Sequence, residues 1–334
     1  MVLHRKTFNE QMRIVYEIER LSTNGGIERI LTSKASYMAE HWGWDVIILV
    51  LYKGCEKSFF PLSPKVRVEC LNITPTYNIV TVPLALYRLN KAVRRIKPDI
   101  YITFQHIGAV SCLLNTHHTK TIYESHGAKQ KMIHPLAINI AERYADAVVT
   151  LTQSNAANFN HAKKIAIIPN FSTLNPQTHP DYYAKTVVSI GRDCRQKGFS
   201  RMKRLWIHVS EKYPDWQLQI HHNTTDVVKA YTSSSIFIMT SQSEGFGLVL
   251  LEAMQCGLPC IAFDCPYGPR EIIKDGENGF LIPYDDDSLF IEKLTYLMEH
   301  PEERERMGKA AKKSVTKYDK LQIMNQWKEL LTNN

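Results

Sequence analysis

Short runs of β-branched and aliphatic residues alternate with amphipathic stretches from Met12 onward, and the alternation restarts half-way along the chain. Such alternation dictates α/β structure with a mostly parallel sheet, because parallel neighbours need a crossover helix between them. In the first half, 13–16, 45–51, 66–70, 99–104, 120–124 and 147–150 read as strands, with helices over 26–41, 83–96 and 134–144. Residues 165–170 form a last strand that Pro169 ends. A stretch rich in Thr, Pro, Asn and Asp follows and suits a linker. The second half then offers strands at 186–190, 216–220, 236–240 and 259–263, and helices over 201–212, 227–234, 248–255, 285–300 and 301–316. Gly257 and Pro259 stop the helix that precedes them. Ile323, Met324, Trp327, Leu330 and Leu331 recur at helical spacing in the tail. The expected layout is therefore a domain at 12–172, a linker at 173–186, a second domain at 187–316 and a C-terminal helix at 317–334. Residues 1–11 are polar and are left outside the fold.

The length of 334 residues is a prior for two such domains. No apolar run reaches the roughly 18 residues a spanning helix needs, and the first residues carry no apolar h-region. The expected location is the cytoplasm. Seven cysteines at irregular spacing fit buried thiols, and Cys256, Cys260 and Cys265 do not have zinc-ligand spacing. His117-His118 and His221-His222 are adjacent pairs rather than i,i+4 ligands, so no metal is expected. The formal charge is +8, spread over groups such as Lys91/Arg94/Arg95/Lys97, Lys129/Lys131, Lys163/Lys164 and Arg201/Lys203/Arg204. Nothing in that spread matches a nucleic-acid motif, so a nucleic-acid partner is not expected. Solvated helix faces account for most of it, and a peripheral contact with anionic lipid on the inner face of the membrane suits the remainder.

The segment that carries chemistry is Ser243-Glu244-Gly245-Phe246-Gly247-Leu248-Val249-Leu250-Leu251-Glu252. A strand feeds a glycine-bearing turn, and the turn opens a helix. Two residues without Cβ let backbone N–H groups approach a ligand, and a helix start favours anions. Glu244 lies at the mouth of the turn and Glu252 further into the helix. Carboxylates are pure acceptors and suit hydroxyl-rich ligands. The plain alternative is a tight turn capped by Glu244.

Glu244 and Glu252 are separated by seven residues, and this resembles the Glu-x7-Glu motif of the retaining glycosyltransferases of family 4. Asn24-Gly25-Gly26-Ile27-Glu28-Arg29 is similar to that family's N-terminal Gly-Gly loop, and Ile168-Pro169-Asn170 to its interdomain strand end. Gly191-Arg192 with Lys197-Gly198 resembles its basic pair. Tyr267-Gly268-Pro269-Arg270-Glu271-Ile272-Ile273 and Asp275-Gly276-Glu277-Asn278-Gly279-Phe280-Leu281 are similar to its C-terminal stretch. The resemblance implies the GT-B fold: two Rossmann-like domains facing each other across a cleft, with a C-terminal helix packing back on the N-terminal domain. It implies a nucleotide-diphosphate sugar as co-substrate, a UDP-sugar above others, with no further cofactor. In this reading Gly25 and Gly26 approach the phosphates, and Arg192 and Lys197 hold the diphosphate. Glu244 takes sugar hydroxyls beside Gly245, Phe246, Gly247 and Leu248, and Glu252 takes the ribose. His126, in Glu124-Ser125-His126-Gly127, matches a histidine facing the donor sugar. The implied reaction is front-face retention without a protein nucleophile. The acceptor is a glycan or lipid-linked glycan of bacterial surface polysaccharide, and acceptor choice falls to 74–81 and 126–134.

The sequence departs from that pattern at one place. The strand at 216–220 runs into His221-His222-Asn223-Thr224-Thr225-Asp226 and straight on to a short helix, so one strand–helix unit beside the nucleobase is missing. Two other readings therefore stand: a GT-B nucleotide-sugar epimerase, and a non-catalytic nucleotide-binding protein. Asp264 and Glu271 carry no role, and Asn278-Gly279 predicts a hairpin turn.

Overall fold

The computed structural model of the protein describes residues 11–74, 81–104, 106–114, 119–127, 135–222, 224 and 226–333. The acceptor-loop expectations at 74–81 and 126–134 fall largely outside these residues, as do His117, His118, Lys129 and Lys131. The chain forms two compact units. The first comprises 1–150, 156–167 and 328–334, and the second 151–155 and 168–327.

The first unit runs β1 (Arg13–Ile18), α1 (Gly26–His41), β2 (Asp45–Tyr52), β3 (Arg67–Ile73), α2 (Thr81–Ile96), β4 (Ile100–Thr103), α3 (His106–Ser111), β5 (Lys120–Ser125), α4 (Pro135–Tyr144), β6 (Ala147–Thr150), α5 (Gln153–Ala156, shared with the second unit) and β7 (Ile165–Ile167). Its sheet has the order β3-β2-β1-β4-β5-β6-β7, and every pairing is parallel. The Asp-Val-Ile-Ile-Leu-Val-Leu-Tyr run of β2 is buried from its second residue on. A parallel strand covered on both faces reads as such an unbroken apolar run. The last turn of the chain lies in this unit, where Lys120 Nζ donates to Leu330 O and Asn333 O, each at 2.8 Å.

The second unit runs β8 (Thr186–Ile190), α6 (Phe199–Lys212), β9 (Gln217–His221), α7 (Val227–Thr232), β10 (Ile236–Met239), α8 (Leu248–Cys256), β11 (Cys260–Phe263), α9 (Pro269–Ile272), β12 (Gly279–Ile282), α10 (Asp287–Glu299), α11 (Pro301–Ser314) and α12 (Lys320–Thr332, whose residues from Lys328 on belong to the first unit). Its parallel sheet has the order β12-β11-β10-β8-β9. Residues alternate between two cores. Ile236 and Ile238 pack with Met202, Leu205, Phe290 and Leu294, whereas Phe237 and Met239 pack with Leu250, Leu251 and Met254. Asp226 and Asp286 cap α7 and α10 by accepting from Lys229 N and Leu289 N. Gly257, at φ 91°, ends α8 as expected.

One sequence expectation fails here. Asn278-Gly279 makes no hairpin: Gly279 opens β12, which pairs in parallel with β11. Asn278 is fully buried; its Oδ1 accepts from Lys274 N, and its Nδ2 donates to Ile272 O and Ser314 Oγ. The side chain stitches the preceding turn instead of making one. β9 is the sheet edge, and α7 follows it after a few residues, at the point where the sequence runs short.

Glu17 breaks the apolar run of β1. It is fully buried, and only one of its oxygens, Oε2, has a hydrogen-bond partner among the described residues, the Thr103 hydroxyl at 2.6 Å. Burial, with a contribution from Glu19 and against the Thr103 hydrogen bond, pushes its carboxyl from 4.5 up to about 8. A raised carboxyl contributes stability that is complete below its unfolded value and lost as pH climbs through the folded one. Chemical denaturation should therefore show stability falling by about 3–5 kcal/mol between pH 4.5 and pH 8 on this group's account. Glu17→Gln should flatten that slope, and an unchanged slope would refute the assignment.

Candidate functional site

In the second unit, three loops at the carboxyl ends of β8, β10 and β11 are stitched together. The loop after β8 makes a 3-10 turn at Arg195–Lys197 and then Gly198, at φ 68°. A Cβ on Gly198 would lie 2.1 Å from Thr240 O, so only glycine lets the two backbones touch there. Thr240 Oγ1 donates to Gly198 O at 3.0 Å, Gln242 N to Gln196 O at 2.7 Å, and Gln196 Nε2 to Ser243 O at 2.7 Å. The loop after β11 is tied in the same way: Glu244 N donates to Pro266 O at 2.7 Å and Tyr267 N to Glu244 O at 3.0 Å. Gly268 is pressed against Phe246, whose carbonyl oxygen lies 2.1 Å from where a Cβ would sit.

These contacts bring Lys197 and Glu244 together. Lys197 Nζ donates to Glu244 Oε1 at 2.8 Å, with both side chains mostly buried. The lysine stem crosses bare Gly191, its Cδ and Cε 3.4 Å from the missing Cβ. Cys265 lies beside the pair; burial first, and then the charge of Glu244, push its thiol up to about 12, so it stays a neutral thiol. Arg192 is exposed and has no side-chain partner among the described residues. Arg195, on the same loop, is likewise exposed and without a side-chain partner among the described residues.

Gly247, at φ 95°, caps the N-terminus of α8, and Leu250 N and Leu251 N donate to its carbonyl. The first N–H groups of α8 lack intrahelical acceptors by geometry and face the turn that holds Glu244. Gly245 is half-buried, Phe246 is buried edge-on to Tyr318 at 5.3 Å, and Leu248 is half-buried. Glu252 is buried on α8, where its charge, after burial itself, helps push the Cys256 thiol up to about 12. Ser154, also in the second unit, donates its hydroxyl to Glu271 Oε1 at 2.9 Å, and Arg270 forks onto Asp264 at 2.9 and 2.6 Å. These contacts give Glu271 and Asp264 a structural use.

In the first unit, Gly25 is the N-cap of α1 at an ordinary φ of −79°, and Gly26 is exposed. The space a Gly25 Cβ would fill holds Glu28 Oε2, 2.1 Å away, and the Thr23 hydroxyl donates to Glu28 Oε1. The helix start is thus already occupied by a carboxylate. His126, just after β5, is held by Glu124: its Nε2 lies 2.8 Å from Glu124 Oε1. Lys34 Nζ donates to both oxygens of the same carboxylate. Sequence reasoning missed Lys34, although one signal was present: it sits in the apolar stripe Ile30, Leu31, Ala35 and Met38 of α1. Among the described residues, no group of three His, Cys, Asp or Glu could hold a metal ion, and no helix is long and apolar enough to cross a membrane.

Comparison with known proteins bears on the fold. The chain covers 97% of its length on the crystal structure of TarM, with a TM-score of 0.80 at 15% identity and 99% of that chain covered. It also matches the lipopolysaccharide outer core galactosyltransferase WaaB, at a TM-score of 0.71 and 17% identity over 95% of this chain and 98% of that one. The fold is that of the GT-B glycosyltransferases. Residues 217–314 match the model for glycosyl transferases group 1. An uncharacterized glycosyltransferase of Haemophilus influenzae is 27% identical over 96% of this chain and 99% of its own length. The amylovoran biosynthesis glycosyltransferase AmsD of Erwinia amylovora is 25% identical over the same shares. The Haemophilus alignment runs over 357 residues against 334 in this chain, so that relative carries residues this chain lacks.

The glycine at 198 gives a direct test of the stitching. Gly198→Ala forces a left-handed residue to carry a Cβ into Thr240 O, and should cost about 2–4 kcal/mol in denaturant unfolding. A loss below 1 kcal/mol on the order of a surface change would show that the loops are not in contact.

Proposed function

We propose that this chain is a retaining glycosyltransferase that moves a sugar from a UDP-sugar to a glycan or lipid-linked acceptor in bacterial surface-polysaccharide synthesis. The observation that carries the reading is the partly open Lys197–Glu244 pair at the start of α8, with exposed Arg192 on the same loop. That set offers an acceptor for hydroxyls beside two cations and a helix N-terminus for a diphosphate. Support from relatives is twofold. TarM and the Anabaena protein HepE, the latter with a TM-score of 0.74 and 17% identity, form complexes with UDP, and AmsD is a glycosyltransferase of amylovoran biosynthesis.

The roles follow residue by residue. Arg192 and Lys197 offset the negative charge that builds on the leaving diphosphate. Glu244 accepts from sugar hydroxyls, with backbone N–H groups of Phe246, Gly247 and Leu248 at the helix start beside half-buried Gly245. Glu252 accepts from the ribose. Gly25 and Gly26 admit the phosphates once the Glu28 carboxylate gives way. His126 faces the donor sugar. The acceptor hydroxyl attacks from the face the nucleotide leaves, the departing phosphate oxygen takes its proton, and the chain supplies no nucleophile. It works at the cytoplasmic face of the membrane, with basic residues such as Lys91, Arg94 and Arg95 toward anionic lipid.

A second reading has an observation of its own. The edge position of β9 and the abrupt passage to α7 suit a chain that has lost a strand–helix unit and binds nucleotide without turnover. Titration of the thermal midpoint with UDP, GDP, ADP and their sugar conjugates separates the two when joined to a transfer screen. A ligand at a hundredfold over Kd stabilises the folded state by about 2.7 kcal/mol. The expected outcome is a shift with UDP and transfer from one of its sugars; a shift without turnover on any acceptor favours the second reading. Glu244→Ala should abolish transfer in a folded protein. Arg192→Ala should weaken UDP about tenfold to a hundredfold while leaving uridine unchanged, and equal losses for both ligands would contradict a diphosphate contact.

A further inference from the structure

Lys34, Glu124 and His126 meet inside the first unit, from α1, β5 and the residue just past β5. Side-chain exposure is 1% for Lys34, 1% for Glu124 and 6% for His126. Lys34 Nζ lies 2.7 and 2.5 Å from the two oxygens of Glu124, and His126 Nε2 lies 2.8 Å from Oε1. Aromatic rings surround the group. Lys34 Nζ stands 5.6 Å from the Tyr16 ring centroid and 5.5 Å from that of Phe104, and Phe104 meets the His126 ring edge-on at 5.3 Å.

A buried ion pair is costly to desolvate, and apolar residues of similar volume often serve stability as well or better. Stability is therefore a poor reason for this pair. Its geometry gives a better one. Burial acts to raise the Glu124 carboxyl, but the charge of Lys34 and the hydrogen bonds from Lys34 and His126 hold it below the ordinary carboxylate range. An ionised carboxylate only accepts, so the His126 nitrogen facing it must carry hydrogen. In the neutral ring the other nitrogen, Nδ1, then keeps its lone pair.

We propose that Lys34 and Glu124 are positioning residues: Lys34 anchors Glu124, and Glu124 holds His126 as the Nε2–H tautomer, leaving Nδ1 to accept a hydrogen bond from a sugar hydroxyl. The sugar-facing half rests on the role of His126 given under Proposed function; the tautomer half does not. A loose imidazole would share its proton between both nitrogens and spend time turned away, whereas this ring meets a ligand with one nitrogen already committed. Preorganisation of this kind removes an ordering cost at the moment of binding.

The test is ring ¹⁵N spectroscopy of the full chain at pH 8, with the His126 signals assigned by their loss in His126→Gln. The parent should show Nε2 protonated and Nδ1 bare. Because Glu124→Gln strands the Lys34 charge, Lys34→Met/Glu124→Gln is measured beside it; that variant removes both charges together. In whichever of them folds, the two ring signals should move toward averaged tautomers. Transfer should fall about tenfold to a hundredfold in kcat, with KM for the nucleotide-sugar changed far less. An Nδ1-protonated parent, or unchanged ring signals in the folded double variant, overturns the positioning role. Parent-like transfer by His126→Gln overturns the sugar-facing half and the reading it rests on, and leaves the ring signals to decide the tautomer.

Discussion

A parallel sheet covered on both faces has no room for polar side chains along its strands, so polar function collects where the strands end. The central strands of both units obey this, with polar side chains at or next to their ends, whereas the edge strands β3 and β9 carry Arg67, Glu69, Gln217 and Gln219 along their length. In the first, Glu17 sits one residue from the end of β1, Thr103 closes β4, and Glu124 and Ser125 close β5. In the second, Gly191 follows β8, Thr240 and Ser241 follow β10, and Asp264 and Cys265 follow β11. Strand order then decides which ends are neighbours. β1 lies between β2 and β4, so Glu17 meets Thr103 across one strand spacing; β10 lies between β8 and β11, so the Glu244 turn is flanked by the loops that hold Lys197 and Tyr267.

Close backbone approach does the remaining work in the second unit. Gly198 touches Thr240, Gly268 touches Phe246, and Gly191 lies under the stem of Lys197. Each removes a Cβ at a point where two loops must meet, and only Gly198 also needs the left-handed conformation. The three loops form one rigid mouth around Glu244 because hydrogen bonds then span the gaps. Gln196 reaches Ser243, and Glu244 exchanges backbone hydrogen bonds with Pro266 and Tyr267.

Much of this was legible in the sequence, for reasons that differ by element. α1 and β8 fall on their expected bounds because their apolar pattern is long or cleanly punctuated. The short helices α3, α5 and α9 left no periodic trace, having at most six residues each. β12 was hidden by a dipeptide that usually turns, because Asn278 spends its side chain on Lys274, Ile272 and Ser314 rather than on its own backbone. At the candidate site, Lys197 and Glu244 were each readable from local motifs, but their pairing across 47 positions was not. Lys34 and Glu124 stand 90 positions apart, and only a charge inside an apolar helix stripe hinted at a partner.

The two lysine–glutamate pairs carry opposite physics despite the same chemistry. Lys34 and Glu124 are each 1% exposed and joined through both carboxylate oxygens, so no ligand can displace either partner without leaving a bare charge in the interior. Lys197 and Glu244 are 14% and 8% exposed and share a single contact, through Oε1. There a ligand that brings hydroxyls and negative charge can take over both ends, the hydroxyls donating to Glu244 and the anion accepting from Lys197. The exchange replaces one charge-assisted hydrogen bond with at least two, and so favours a ligand that carries both functions in one molecule over one that carries either alone. A sugar joined to a diphosphate meets that condition, whereas a free sugar or free phosphate would have to break the pair for half the return.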